Sequence, residues 1–276
     1  HVELSPLTRT KYCDKIKIWR WHMARQEHTG ICHICGEYKK LTYEHIPPEA
    51  AFNSQRRKMS TVEELMGNEK DNRAPWDIEG LKYKQFQQGT GFFTLCGECN
   101  SFTGAKYGGA YSDFIKAIGT EIVKIPKENR KQGLSFHVER IKLLAFFKQV
   151  VSMFCSLNTE QFGTSFKDFL LDENNTNFDT NKYKVCMYLH AGRIDRLVPF
   201  QAQLNLNTGN MEFYSEISTF PVGFIFYDLS HNRTISFYGS DITSFSQCDY
   251  SSLYNLDIQI PFLECNTPFG LDFRKF

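Results

Sequence analysis

The spacing of apolar residues predicts helices and short strands in the first half of the chain. From about Leu7 to His28, apolar side chains recur at helical spacing, which predicts an amphipathic helix. Lys40 to His45 alternates as a short strand does, and the two prolines that follow should end its pairing. Gly91 to Leu95 predicts a second strand. Apolar positions at helical spacing further on predict a helix that begins close to Asn100 or Ser101.

The second half opens with an apolar run and continues with strands. Val138 to Leu157 carries few polar side chains, so we expect a helix buried on most sides, too short and interrupted to span a membrane. The segment Asn207 to Asn210 favours a hairpin turn between two strands. The predicted strands are Tyr183 to His190, Arg193 to Phe200, Gln203 to Asn207, Met211 to Ile217, Val222 to Asp228 and Thr234 to Tyr238.

These elements indicate an α+β chain of three segments. Residues 1–30 are interpreted as an N-terminal helix that packs on the segment after it, and residues 31–125 contain the motifs described below. Residues 126–276 are predicted to form a mixed C-terminal domain with a buried helix and antiparallel strands. The linker around Pro126 and Gly133 marks the boundary.

Composition and charge limit the kinds of partner and of cysteine chemistry that the chain can have. The 276 residues carry a formal net charge of +1, so any contact with a polyanion must come from a local basic patch. The sequence has no apolar stretch of membrane-spanning length and no signal-peptide pattern, which predicts a soluble, cytoplasmic protein with no membrane partner. Nine cysteines is an odd number, and four of them have metal-ligand spacing, so a secreted disulfide framework is the poorer explanation.

Two C-x-x-C pairs, Cys32 with Cys35 and Cys96 with Cys99, carry the strongest signal in the sequence. Four thiolates can hold one tetrahedral zinc ion and join two distant points of the chain. The alternative is a set of unrelated buried thiols, which two such pairs beside glycines make the poorer explanation. Because four protein ligands leave no position for water, we expect a structural zinc, with catalysis elsewhere.

An acidic residue and a histidine, Glu44 and His45, lie between the cysteine pairs, and Asn100 follows the second pair. A histidine can take a proton from water near neutral pH. Glu44 is either an ordinary charged strand residue or a metal ligand, although adjacent strand side chains point to opposite faces. Asn100 is either a helix cap or a neutral oxygen ligand to a hard cation.

The order of these motifs resembles the zinc-stabilised branch of the HNH endonucleases. Cys32-x-x-Cys35, Glu44-His45-Ile46-Pro47-Pro48 and Leu95-Cys96-x-x-Cys99-Asn100 carry the resemblance, which covers about residues 31–114. It implies a ββα-metal nuclease module in which His45 is the general base, Glu44 matches the acidic residue before it, and Asn100 occupies a metal-ligand position.

Two features depart from the family pattern. In the family, a middle asparagine orients the histidine, but this chain has Gly91 at that position, with Thr90 and Phe92 beside it. The role of the asparagine would then pass to Gln87, Gln88 or a backbone carbonyl. Thr103 stands where the terminal helix often has lysine. The sequence does not decide between the candidates for the missing asparagine.

The favoured function is therefore metal-dependent hydrolysis of nucleic acid, with DNA as the expected substrate and Mg²⁺ or Mn²⁺ as the catalytic cation. Alternatives are a non-catalytic zinc-ribbon binding or regulatory module, and a nuclease effector of a defence or toxin system gated by the C-terminal domain. That domain could also mediate homo-oligomerisation or bind a partner protein. The candidate phosphate contacts are Arg56, Arg57, Lys58, Lys106 and Arg73.

Overall fold

The computed structural model describes residues 27–66, 78–126, 133–205, 209–231 and 236–274. Nearly all of the predicted helix from Leu7 to His28 lies outside these ranges, as do Arg73 and the first two residues of the predicted turn at Asn207.

A small antiparallel sheet forms the first part of the fold. It has the strand order β1 (Thr29–Ile31), β2 (Tyr38–His45), β5 (Gly91–Cys96). Both strands predicted here are therefore confirmed, and β2 ends at His45, before the prolines, as expected. The chain between β2 and β5 contains a separate two-stranded sheet, β3 (Arg57–Met59) with β4 (Lys84–Phe86), and a short helix α1 (Val62–Met66). We call the described residues of this stretch, 52–66 and 78–86, the insertion.

A nearly continuous helix follows β5 directly. It comprises α2 (Gly97–Thr103), a π-helical turn (Gly104–Gly108) and α3 (Gly109–Val123). The expected start at Asn100 or Ser101 is wrong, because Cys96 occupies the N-cap position and the helix begins within the second cysteine pair. Asn100 therefore lies inside the helix rather than capping it.

The C-terminal half begins with a strand where a helix was expected. β6 (Leu134–Ile141) pairs with β12 (Tyr254–Ile260), and α4 (Leu143–Leu157) starts only afterwards. The predicted helix start at Val138 is wrong because Phe136 and Val138 alternate with exposed neighbours in a two-stranded sheet. Every residue of α4 is buried, as the apolar run predicted. Two short helices, α5 (Glu160–Thr164) and α6 (Lys167–Leu171), follow.

A six-stranded sheet forms the rest of the fold. Its strands are β7 (Tyr183–Gly192), β8 (Arg196–Asn205), β9 (Asn210–Ser218), β10 (Val222–Asp228), β11 (Ser240–Asp241) and β13 (Phe262–Cys265). The order is β11-β7-β10-β9-β8, and β13 also pairs with β7 as the one parallel pair of this sheet in the described part of the chain. A short 3-10 helix (Thr243–Gln247) follows β11.

Two strand predictions differ from this sheet. The strands expected on either side of Gln201 are one strand, β8, with an irregular register between Val198 and Gln201. Pro199 cannot donate to a ladder, so the chain forms an irregularity there without ending the strand. Ser236 to Tyr238 forms no strand. The Tyr238 N–H donates instead to the Tyr227 hydroxyl.

One hydrophobic cluster runs through both halves of the described chain. Phe146 of α4 packs on Phe114 of α3 (ring centroids 4.4 Å apart) and on Phe224 of β10 (6.1 Å). The molecule is thus a mixed structure of helices and mainly antiparallel sheets. The domain boundary at residue 126 stays a prediction, and the core crosses it without a break.

No helix in the described ranges is both long and apolar enough to cross a membrane.

Candidate functional site

Two turns bring the four paired cysteines together. Gly36, at φ +76°, closes the first turn by donating its N–H to the Cys32 carbonyl. The second pair opens α2. All four sulfur atoms lie within 4.8 Å of one another, and the Cys35 and Cys96 Sγ atoms are 4.0 Å apart. Zn–S bonds of about 2.3 Å in a tetrahedron separate sulfurs by about 3.8 Å, so the cluster has the dimensions of a zinc site.

Besides lying close together, the cysteines have surroundings that favour the thiolate form. The Cys96 N–H donates to the Cys32 sulfur at 3.3 Å. A hydrogen bond from the Cys99 thiol lowers the pKa of Cys32, assisted by backbone N–H groups, although burial opposes the effect. The same contact and burial raise the pKa of Cys99, so the thiols share their protons unequally. A divalent cation would replace those protons.

His45, the last residue of β2, is half-buried and oriented by backbone. Its Nε2 atom lies 2.9 Å from the Gln88 carbonyl oxygen, and its ring packs edge-on against Tyr43, with centroids 5.0 Å apart. Because a carbonyl oxygen only accepts, Nε2 carries the hydrogen in this contact, and Nδ1 of the neutral ring keeps its lone pair. Of the candidates for the missing asparagine, the backbone carbonyl makes this contact.

A buried asparagine that the sequence did not indicate holds the loop that carries this carbonyl. Asn53, 2% exposed, donates to the carbonyls of Pro47 (2.6 Å) and Thr90 (2.8 Å), and accepts from the Thr90 N–H (2.9 Å). Thr90 in turn donates its hydroxyl to the Ile46 carbonyl. Asn53 therefore joins the end of β2 to the loop before β5. Nothing in the sequence distinguishes it from an ordinary loop residue.

Glu44 is 8% exposed and forms no ion pair with any described residue. Burial raises the pKa of its carboxyl group to about 7. A buried carboxylate without a counter-charge is costly, and it is the kind of group that a bound cation stabilises.

Asn100 lies on the same face of β2 as Glu44. Its amide nitrogen donates to the Thr42 hydroxyl (3.0 Å) and to the Tyr43 carbonyl (3.2 Å). Thr42 and Glu44 are two residues apart on the strand and share a face, whereas His45 points to the other face. By this alternation, Asn100 and Glu44 lie on one side of β2 and His45 on the other.

The candidate phosphate contacts are dispersed. Arg56 and Lys58 are exposed on the insertion, with Lys58 over the Tyr83 ring (4.3 Å). Arg57 forms an ion pair with Asp195 (3.0 Å), and Lys106 of the π-helical turn forms one with Glu173.

The chain was compared with the models of known protein families, with curated proteins and with solved structures, and none of them matched.

Proposed function

We propose that this protein is a metal-dependent endonuclease of the HNH type that hydrolyses phosphodiester bonds in nucleic acid, DNA in particular. The observation that carries the proposal is His45, held by the Gln88 carbonyl at the end of an antiparallel strand pair that runs directly into a helix. Two strands, a helix and a histidine at the strand end are the arrangement that the resemblance implies.

The orientation of the imidazole suits a general base. Because Nε2 donates to the Gln88 carbonyl, Nδ1 is the nitrogen that can take a proton from water. His45 takes one proton of the water as its oxygen attacks phosphorus, and the bond from phosphorus to the 3′ oxygen breaks. The 3′ oxygen takes a proton from solvent, so the products are a 5′ phosphate and a 3′ hydroxyl. The substrate phosphate would lie beside the end of β2, next to His45.

The oxygen donors on the other face fit a hard cation such as Mg²⁺ or Mn²⁺. Glu44 supplies a buried carboxylate without a described counter-ion, and Asn100 uses its nitrogen on β2, which leaves its carbonyl oxygen as a neutral donor. When bound, such a cation would supply charge stabilisation for the phosphate and the leaving oxygen. The four cysteines would hold zinc in a closed, structural site.

Plasmid nicking with and without Mg²⁺ tests the proposal and separates it from a non-catalytic zinc-ribbon module. His45→Ala should lower cleavage by about a hundredfold or more, the usual scale for removing a general base, with zinc content and Tm unchanged. Gln88→Ala is the matched control. Since the contact uses the backbone carbonyl, this variant should retain cleavage.

Two results would contradict the proposal. Wild-type protein that binds nucleic acid but never nicks it in Mg²⁺ or Mn²⁺ would favour the zinc-ribbon alternative. Full nicking by a zinc-replete, folded His45→Ala protein would place the chemistry elsewhere in the chain.

A further inference from the structure

A wide groove separates the insertion from the six-stranded sheet. Its volume is about 2800 Å³. One wall is formed by the insertion and the other by the start of β8 and the C-terminal segment 266–274. Pro47, Asn53 and Thr90 also line it. Pro47 lies two residues after His45, and Thr90 precedes Gly91, the strand partner of His45, so the groove ends close to the end of β2.

The dimensions of the groove favour an extended ligand. Sites for small molecules usually enclose about 300–1,000 Å³ and bury most of the ligand surface. This groove is larger than that range. A chain molecule that passes through it fits better than a compact metabolite.

The charge of the groove favours phosphate. Six basic and four acidic residues line it. Three of the basic residues are in ion pairs: Arg57 with Asp195, Arg274 with Asp272, and the buried Arg196 with Glu216. Arg56 and Lys58 on one wall and Arg193 on the other are exposed. Arg193 lies in the turn between β7 and β8, and the sequence analysis did not name it as a phosphate contact.

Asp195 lies between the walls and limits this positive charge. Its Oδ2 atom is 3.0 Å from the Arg57 guanidinium, and its Oδ1 atom is 3.5 Å from Nε2 of the buried His190. The pair joins the insertion to the sheet. A phosphate that approached Arg57 would have to compete with this carboxylate.

We propose that the groove binds the phosphodiester backbone of the nucleic acid, with Arg56, Lys58 and Arg193 as phosphate contacts, and that Asp195 restrains Arg57 and weakens binding. The inference rests on the proposed function for the identity of the ligand. It assigns to the C-terminal sheet one wall of the binding surface. Two substitutions at neighbouring positions should then change affinity in opposite directions.

Fluorescence anisotropy with a labelled single-stranded DNA oligonucleotide tests this in a His45→Ala background, so that cleavage does not interfere. Arg193→Glu should weaken binding and lower the slope of log K against log salt by about 1 or more. Asp195→Asn should tighten binding, because it releases Arg57 and removes a negative charge. Lys167→Glu and Asp168→Asn, exposed on α6 outside the groove, are the matched controls and should leave affinity unchanged.

A folded Arg193→Glu protein with unchanged affinity and salt slope would overturn the inference, and so would an Asp195→Asn protein that binds no more tightly. Duplex DNA and RNA of the same sequence identify which backbone the groove prefers. The test is independent of catalysis. If Arg193→Glu weakens binding but the wild-type protein never nicks DNA, the nuclease proposal alone is refuted. If the wild type nicks DNA and Arg193→Glu nicks it equally well, the groove proposal alone is refuted.

Discussion

At the scale of single residues, Glu44 is the group near the proposed site whose ionised form is destabilised by burial. It is buried, its pKa is raised to about 7 by that burial, and no described residue pairs with it. The folded state therefore binds the Glu44 proton more tightly than the unfolded chain does. As the pH rises from about 4.5, the pKa in the unfolded chain, to about 7, the pKa in the folded state, the free energy of unfolding falls. Above pH 7 the full cost of burying the Glu44 carboxylate is present.

Glu44→Gln should remove that penalty. Without added Mg²⁺, the variant should be more stable than the wild type at pH 8, by up to about 3 kcal/mol, because a shift of one pKa unit is worth about 1.4 kcal/mol. The difference should shrink as pH falls and vanish below about pH 4.5. Denaturant unfolding across this pH range measures it.

Mg²⁺ and an exposed glutamate supply the controls for this prediction. If Glu44 binds the cation, Mg²⁺ should stabilise the wild type and leave Glu44→Gln unchanged. Glu49→Gln, exposed a few residues later, should show no pH-dependent gain. Equal stability of wild type and Glu44→Gln at pH 8 would mean that Glu44 has a counter-charge or water that offsets its burial.

At the scale of elements, the junction between β2 and β5 depends on Asn53. Its amide hydrogen-bonds two carbonyls and one N–H at the point where β2 ends and β5 begins. Gly89 lies against it at φ +79°, and a Cβ atom there would overlap the Asn53 backbone. The loop that positions the Gln88 carbonyl is therefore closely packed on this side chain.

Asn53→Ala should lower the free energy of unfolding by at least about 2 kcal/mol, because buried polar partners lose their hydrogen bonds. Cleavage should fall as well, since the contact from Gln88 to His45 loses its support. Asn53→Asp should be no better, because it would turn a carboxylate oxygen toward two carbonyls. Gln55→Ala is the control, as Gln55 meets Gly89 only through its backbone carbonyl among the contacts of the described residues.

Wild-type stability and activity in Asn53→Ala would show that the loop keeps its shape without this side chain. Chemical denaturation and plasmid nicking, performed on the same preparations, report the two effects.

The sequence predicted the elements that local pattern determines and missed those set by distant contacts. β2, β5, the buried residues of α4 and the cysteine cluster follow from alternation, apolar spacing and paired motifs. Val138 was misassigned because the pairing of β6 with β12, more than a hundred residues away, decides its state. Asn53 was missed for the same reason, since its partner Thr90 lies 37 residues away along the chain.

At the scale of the molecule, both halves share one core and are joined near the cysteine cluster. His33, inside the first cysteine pair, contacts the Cys155 carbonyl of α4 through Nδ1 at 3.0 Å. On the far side of the large sheet, the buried Arg196–Glu216 ion pair (2.8 Å) fixes the C-terminal segment through the carbonyls of Thr267 and Asp272. The main core is therefore shared by both halves, while a second, smaller cluster that includes Tyr188 and Tyr214 belongs to the C-terminal half alone.

The chain should therefore contain about one zinc and unfold in a single calorimetric transition. Cys96→Ser should lose the metal and shift that whole transition to lower temperature, or prevent folding, because loss of the zinc removes folding free energy. Metal analysis and scanning calorimetry measure the two effects. Cys155→Ser, a buried thiol outside the cluster, should keep its zinc.

A second transition that survives Cys96→Ser would show that residues 126–276 fold independently, as the sequence-based boundary implies. A stable, zinc-free wild type would refute the metal site itself.

The π-helical turn at Gly104–Gly108 sets the angular phase between the two parts of the long helix. Before it, Asn100 must face β2, and after it, Tyr111, Phe114 and Ile118 must face the core. One residue advances a helix by about 100°, so deleting the exposed Ala105 would rotate one face relative to the other by roughly that angle. The helix could then keep either the contact of Asn100 with β2 or the packing of Tyr111, Phe114 and Ile118 in the core, but not both.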